Sequence, residues 1–339
     1  MREQSVVPKG MTMNKYLSVL VDSVVLTNFC RKKSRQTQFQ PVGRSSYEPT
    51  EKGLGLAFPK PALDDIQLNP TGIFTEYEMG TYSYASGIEL DLCQQLAQGE
   101  YYLQKNKDQQ VHVIVIHGWK SDGLDRGKRL FLDSFSTSGY NLFFVMLPHH
   151  MDRKDPRSDY SGEYMISAHI ERTIQAFQQA ITEIRMLIYW LKKHRGGKIV
   201  VIGISLGGLI ANLLSVVEED VDLLVSVMYA NNISHTVWNT PVGNDIKQDL
   251  ENHGVNYHTL VEYWRILEPS RFVPRVSKEN ILLLSGVYDQ YVELADSKQL
   301  WDAWGEPKHI LYKCGHAGIA LYRKRIAQDV AQFIQHRLR

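Results

Sequence analysis

Residues 198–208 read KIVVIGISLGG, and the apolar stretch LIANLLSVV follows over 209–217. Residues 198–204 form a short run rich in Val and Ile, the composition of a buried strand. Residues 206–217 continue as a helix, so Gly203-Ile204-Ser205-Leu206-Gly207 occupies the turn between the two. This is Gly-x-Ser-x-Gly in the strand–turn–helix setting of a nucleophile elbow. Such a turn strains the serine backbone and presses the residues two before and two after it against the adjoining elements, so both must be very small. Gly203 and Gly207 meet that demand. Ser205 also stands at a helix N-terminus, where unpaired N–H groups and the helix dipole favour negative charge. A glycine-rich link with no chemical role has the same composition, so partners for the serine decide between the two readings.

Working outward, similar apolar runs occur at 111–116, 141–147, 223–228, 280–285 and 309–312. Helical segments separate them, most clearly 168–194, where Ile170, Ile174, Phe177, Ile181, Ile184 and Ile188 share one face. Before residue 106, Tyr77, Tyr82, Tyr84 and Tyr101 fall in short runs broken by Gly and Ser, which reads as antiparallel strands and hairpins. The expected fold class is α/β: a mostly parallel, doubly wound sheet with antiparallel N-terminal strands. Ligands of such sheets bind at the carboxyl ends of the strands.

A serine hydroxyl needs a general base, and the base needs an orienting acid. The run 280–285 leads into Val287-Tyr288-Asp289, and the run 309–312 leads into Cys314-Gly315-His316. Ser205, Asp289 and His316 thus lie at successive strand ends in the chain order expected when the nucleophile is carried on such an elbow. The run 111–116 leads into His117-Gly118-Trp119, a turn able to aim a backbone N–H at the same pocket. The expected oxyanion-hole donors are the main-chain N–H groups of Trp119 and Leu206, with His117, Gly118, Gly203 and Gly207 in supporting roles.

On these motifs the chain resembles an α/β-hydrolase over about residues 72–339. Within that superfamily it is similar to an uncharacterised bacterial-type, esterase- or lipase-like branch, through Leu147-Pro148-His149-His150 and Trp304-Gly305-Glu306-Pro307. The resemblance implies serine-hydrolase chemistry without a defined substrate. It disfavours the dehalogenases and epoxide hydrolases of this fold, whose nucleophile is an aspartate where this chain has Ser205. One departure is the N-terminal extension, residues 1–70, read as an amphipathic helix plus a linker ahead of a hydrolase domain over 71–339.

Substrate-pocket candidates are His149, His150, Arg153, Trp238 and Tyr288. Arg153 suits a substrate carboxylate or phosphate, or else an ion pair with an acid of its own loop. Adjacent histidines with Asp152 invite a metal, but two neighbours on a loop do not converge on one ion unaided, and no metal is expected. Residues 231–278, rich in aromatics, read as a cap insertion offering an apolar wall.

Lys+Arg 38 against Asp+Glu 37 leaves a net charge of +1, which gives no support to a polyanion binder; no nucleic-acid partner is expected. Three widely spaced cysteines, Cys30, Cys93 and Cys314, suit neither a disulfide scaffold nor a zinc site and fit reduced thiols in a cytoplasm. The apolar stretch 16–29 is interrupted by Asp22 and Asn28, too soon for a spanning helix. Leu17, Leu20, Val21 and Val24 instead share a helical face ahead of Arg31-Lys32-Lys33 and Arg35. That face is expected to dock on its own domain; the alternative is peripheral membrane contact through residues 13–36. The functional expectation is hydrolysis of a small acyl ester or lipid without a cofactor. Thioesterase or peptidase/amidase activity, and a non-catalytic binding protein of the same fold, are the alternatives.

Overall fold

The computed structural model describes residues 15–41, 50–61, 65–87, 92–105 and 110–338. In chain order, α1 (Lys15–Arg31) and α2 (Glu51–Ala57) precede β1 (Gln67–Ile73), β2 (Tyr77–Ala85) and β3 (Leu96–Gln104). Strands and helices then alternate: β4 (Val111–Ile116), α3 (Asp125–Ser136), β5 (Asn141–Met146), α4 (Ile170–His194), β6 (Lys198–Ile204), α5 (Leu206–Val217) and β7 (Leu223–Val227). Next come α6 (Ile233–Asn239), α7 (Asn244–Asn252) and α8 (Tyr257–Trp264), ahead of β8 (Ile281–Gly286), α9 (Leu294–Ala303), β9 (Lys308–Tyr312) and α10 (Ile319–Arg337).

The strands form one nine-stranded sheet in the order β1-β2-β3-β5-β4-β6-β7-β8-β9. β1, β2, β3 and β5 pair antiparallel, and β5 through β9 pair parallel. This is the α/β-hydrolase architecture. The parallel strands are predominantly apolar because both faces are covered, and their buried polar residues are hydrogen-bonded, as His112 is to Gly196 O, Ser226 to Asn212 and His309 to Ser285. Ile114, Ile116, Ile199 and Val201 enter one core with α4 and α5, while Val113, Val115, Val200 and Ile202 enter another with α3 and α10. Each fully buried Ile, Leu or Val contributes about 1.5–3 kcal/mol.

Because β5 and β6 lie on opposite sides of β4, the chain leaves β4 one way and returns on the other, opening a crevice at the carboxyl ends of β4 and β6. Backbone strain gathers there. Lys120, His149, Met151, Ser205 and Met228 all have positive φ, and they follow β4, β5, β6 and β7.

Two N-terminal expectations are corrected. Residues 34–70 read as a linker without sustained period, yet they hold α2 and most of β1. Leu54, Ala57, Phe58 and Ile66 are buried in the same core as α4 and β6. A helix of 7 residues that includes Gly53 and Gly55 is too short to display a period, and β1 tolerates Pro70 because it is an edge strand with a bulge between Pro70 and Gly72. Residues 1–14, 42–49 and 62–64 of the extension lie outside the described residues. In α1 most of the expected docking face points outward: Leu17, Leu20 and Val24 are 51%, 59% and 57% exposed, while of that face Val21 alone packs on the core, beside buried Ser18, Asp22 and Leu26. The helix is turned by what Asp22 binds, not by its apolar stripe.

Cys30, Cys93 and Cys314 are free thiols. No described helix is long and apolar enough to cross a membrane.

Candidate active site

Ser205 sits between β6 and α5 with φ 56° and ψ −117°, and its N–H donates to Val227 O at 2.8 Å. A β-carbon on Gly203 would lie 2.1 Å from Gly207 O, and one on Gly207 2.2 Å from Ile116 O, so the turn closes only with glycine at both. The Ser205 hydroxyl is 3.0 Å from His316 Nε2, and His316 Nδ1 is 2.7 Å from Asp289 Oδ2. The other Asp289 oxygen accepts from the N–H groups of Tyr291 and Val292 at 2.8 and 2.9 Å, which fixes the carboxylate. Burial lowers the basicity of His316, but the charge of Asp289, its hydrogen bond and the charge of Asp22 outweigh this and raise the imidazole above its ordinary 6.5. The structure therefore joins Ser205, His316 and Asp289, from the ends of β6, β9 and β8, in one hydrogen-bonded chain.

The turn after β4 runs over the serine: a β-carbon on Gly118 would lie 3.2 Å from Ser205 Cβ. Trp119 follows directly, its indole N–H donating to Gly162 O at 2.7 Å. Leu206 is the first residue of α5, and its N–H precedes the helical ladder. His117 is neutral, held at about 4 by burial against the opposing hydrogen bond with Gly118 O. Its Nδ1 is 2.8 Å from that carbonyl and its Nε2 accepts from Leu147 N at 3.1 Å, so it ties the end of β4 to the end of β5.

The contacts of the pocket candidates are as follows. Arg153 is fully buried, and its guanidinium makes paired bonds of 2.7 and 2.6 Å to Glu183 of α4 and one of 2.9 Å to Met146 O. It is thus committed to an ion pair, with an acid on a helix and not in its own loop. Glu183 also accepts from Ser86 and Gln179, and its carbonyl from the Tyr84 hydroxyl, so the pair anchors the loop after β5 to β2 and α4. His149 and His150 are buried and kept neutral by desolvation; His150 Nδ1 lies 2.8 Å from Pro148 O, and its ring meets that of His117 edge-on. Trp238 is half-buried on α6, 5.9 Å from the Tyr257 ring and covered by Lys247. Tyr288 is half-buried, and its N–H donates to Cys314 O at 3.0 Å. Trp264, in the predicted cap, is core: 1% exposed, with its indole N–H donating to Ile170 O. Among the described residues no group of three His, Cys, Asp or Glu is disposed to hold a metal ion.

Sequence reading missed what α1 brings. Phe29 packs edge-on against both Trp119 and Tyr291, each 5.6 Å away, and Tyr291 stacks on His316 at 4.6 Å and 14°. Lys120, buried and lowered to about 8 by that burial, donates to Lys32 O at 2.7 Å and lies 4.5 Å from the centroid of the Phe29 ring and 4.6 Å from that of Trp119. It caps the C-terminal end of α1. The available signal was Asp22, a lone acid in an apolar helix. A basic cleft of about 640 Å³ opens beside α1, lined by Arg31, Lys33, Arg35 and Lys154 with Asp122 and Asp159. Ser205, His316 and Asp289 do not line it, so hydrogen-bond geometry, and not cavity size, locates the candidate site.

No protein-family model matches the chain. It is 46% identical to the uncharacterized protein YdjC of Bacillus subtilis over 115 residues, 34% of this chain and 99% of that protein. It is 25% identical to the uncharacterized protein Rv2627c of Mycobacterium tuberculosis over 211 residues, 58% of this chain and 46% of that protein. Among solved structures it resembles acetyl xylan esterase 1 of a Thermoanaerobacterium species, with a TM-score of 0.65 and 13% identity over 90% of this chain and 98% of that one. It also resembles the acylaminoacyl peptidase of Pyrococcus horikoshii, with a TM-score of 0.55 and 16% identity over 77% of this chain and 42% of that one.

Proposed function

The chain has the α/β-hydrolase fold and belongs to one family with YdjC of Bacillus subtilis, and from that premise we propose that it is a serine hydrolase of the α/β-hydrolase superfamily acting on an ester or related acyl bond. The observation that carries this reading is the chain of hydrogen bonds from Ser205 through His316 to Asp289 at the mouth of the crevice. His316 takes the Ser205 proton as the oxygen attacks the substrate carbonyl. The N–H groups of Leu206 and Trp119 receive the negative charge that develops on the carbonyl oxygen. His316 then gives its proton to the leaving group, and water, activated by the same imidazole, releases the acyl group from Ser205. Asp289 holds the imidazole and stabilises its charged form.

A carboxylesterase is the favoured form, supported by the likeness to acetyl xylan esterases. The same machinery serves thioesters and amides, and one neighbour is a peptidase. Residues 231–278 act in this reading as a cap over the acyl side. The test is hydrolysis of p-nitrophenyl esters from acetate to palmitate, with fluorophosphonate labelling, by wild type and Ser205→Ala. Turnover and labelling that vanish in the variant support the reading; an unlabelled, inactive wild type replaces it with a binding protein of the same fold.

A peripheral lipid contact is a second reading, favoured by the outward apolar face of α1 beside Arg31 and Lys33. Its test is sedimentation with phosphatidylglycerol vesicles. Equal binding by wild type and Leu20→Glu removes α1 from that role.

A further inference from the structure

Asp22 is a carboxylate at the centre of α1, 0% exposed, in a helix whose outward face is apolar. Burying a carboxylate is costly unless donors compensate it. Three backbone N–H groups offset part of that cost here, and burial still holds the carboxyl above its ordinary range. Asp22 Oδ2 accepts from His316 N at 2.7 Å and from Gln290 N at 3.3 Å, and Oδ1 accepts from Ala317 N at 2.8 Å. Gln290 directly follows Asp289, and Ala317 directly follows His316. One side chain therefore grips the loop after β8 and the loop after β9, the two loops whose side chains must meet at 2.7 Å for the imidazole to be oriented.

The approach is close. A β-carbon on Gly315 would lie 2.2 Å from Asp22 Oδ2, so glycine at 315 is what admits the carboxylate. The same helix supports the imidazole from its face, since Phe29 braces Tyr291 and Tyr291 stacks on His316. Elsewhere α1 is fastened by Lys120 at its C-terminal carbonyls and by the Cys30 thiol donating to Pro241 O at 3.4 Å. Of its helical stripe, Leu17, Leu20 and Val24 take no part in this attachment. The helix is oriented to deliver a carboxylate, at the expense of burying its apolar side.

We propose that Asp22 is a positioning residue of the active site, which clamps the His316 and Asp289 loops together so that the base and its orienting acid stay in register with Ser205. Asp22 touches no reacting atom; it acts through the backbone of the two loops. The N-terminal helix is then a component of the hydrolase site and not an appendage to it. This inference rests on the serine-hydrolase reading above.

The experiment compares wild type, Asp22→Asn and Leu26→Ala, each checked for folding by circular dichroism and thermal melting. Asp22→Asn keeps the shape but turns one acceptor into a donor facing N–H groups. Leu26→Ala removes core packing of α1 while leaving the Asp22 carboxylate and its three hydrogen bonds in place. With p-nitrophenyl butyrate, Asp22→Asn is expected to lower kcat by about 10²-fold, with KM changed less than about twofold, as for a misplacement near 1 Å. Leu26→Ala is expected to lower the melting temperature while keeping kcat. Amide hydrogen exchange at His316 and Ala317 reads the clamp without substrate, and it is expected to accelerate about tenfold or more in Asp22→Asn alone. Should Asp22→Asn not fold, Gly315→Ala attacks the same contact from the other side and is expected to do the same. A folded Asp22 variant with wild-type kcat or unchanged exchange overturns the proposal, as does an equal loss of kcat in Leu26→Ala. A wild type that neither turns over nor labels with fluorophosphonate ends the hydrolase reading instead, and exchange still decides whether Asp22 holds the loops.

Discussion

Two apolar helices meet at the Ser205–His316–Asp289 cluster, and they arrive by opposite logic. α5 is held by neighbours in sequence: the strand before it, the glycines at 203 and 207, and the Ser205 turn specify one another within a few residues. α1 is held by residues far along the chain, with Asp22 bonded 268 to 295 positions away at Gln290, His316 and Ala317. α5 buries its apolar residues, whereas α1 exposes much of its own and buries an acid. Chemistry can thus be written locally, as a turn, while its alignment is supplied by a remote side chain with no motif around it.

The comparison can be broken most severely at the local end. His316→Ala is expected to lower kcat by about 10⁴-fold or more and Asp289→Asn by about 10⁴-fold, read by single-substrate kinetics on a short-chain ester. Losses under tenfold would mean that the hydrogen-bonded chain is not the engine of turnover. The next largest effect concerns support below the site. Arg153→Ala leaves Glu183 buried without its guanidinium and is expected to destabilise the fold by about 3–5 kcal/mol in urea titration. A loss under about 1 kcal/mol would show that the loop after β5 is held by other means.

The pH profile sharpens the picture further. His316 accepts a proton only when neutral, and its folded pKa is raised above 6.5. The charged form holds at low pH, so kcat/KM is expected to climb with pH through a midpoint above about 6.5 and to fall away below it. In Asp289→Asn that midpoint is expected to move down, because the largest raising influence is gone. A wild-type midpoint below 6.5 contradicts the electrostatics of the site. The smallest effect is expected on the outer face of α1. Leu20→Glu replaces a side chain 59% exposed and is expected to change stability by no more than about 0.5 kcal/mol and to leave ester hydrolysis untouched. A larger loss of stability would mean that this face is covered in solution.

The buried strands and the elbow were legible because their determinants repeat or lie close together. Parallel strands buried on both faces are apolar at most positions, and the strained serine turn carries glycine two residues to either side. Asp289 and His316 were legible at one remove, since both stand directly after a strand whose position the apolar runs reveal. The short elements α2 and β1 escaped because a helix of 7 residues and an edge strand with a proline leave no period to detect.

The sequence by itself determined the α/β sheet, the turn at Ser205 and the strand ends from which His316 and Asp289 extend, since each follows from period, steric size or position relative to a strand. Only the tertiary structure decided that Arg153 belongs to Glu183 and that Asp22 reaches the His316 loop. Each of these is a buried polar group satisfied by a partner distant in sequence. A single carboxylate or guanidinium carries no pattern of its own, and its role is fixed by whichever donors or acceptors the folded chain brings within hydrogen-bonding reach.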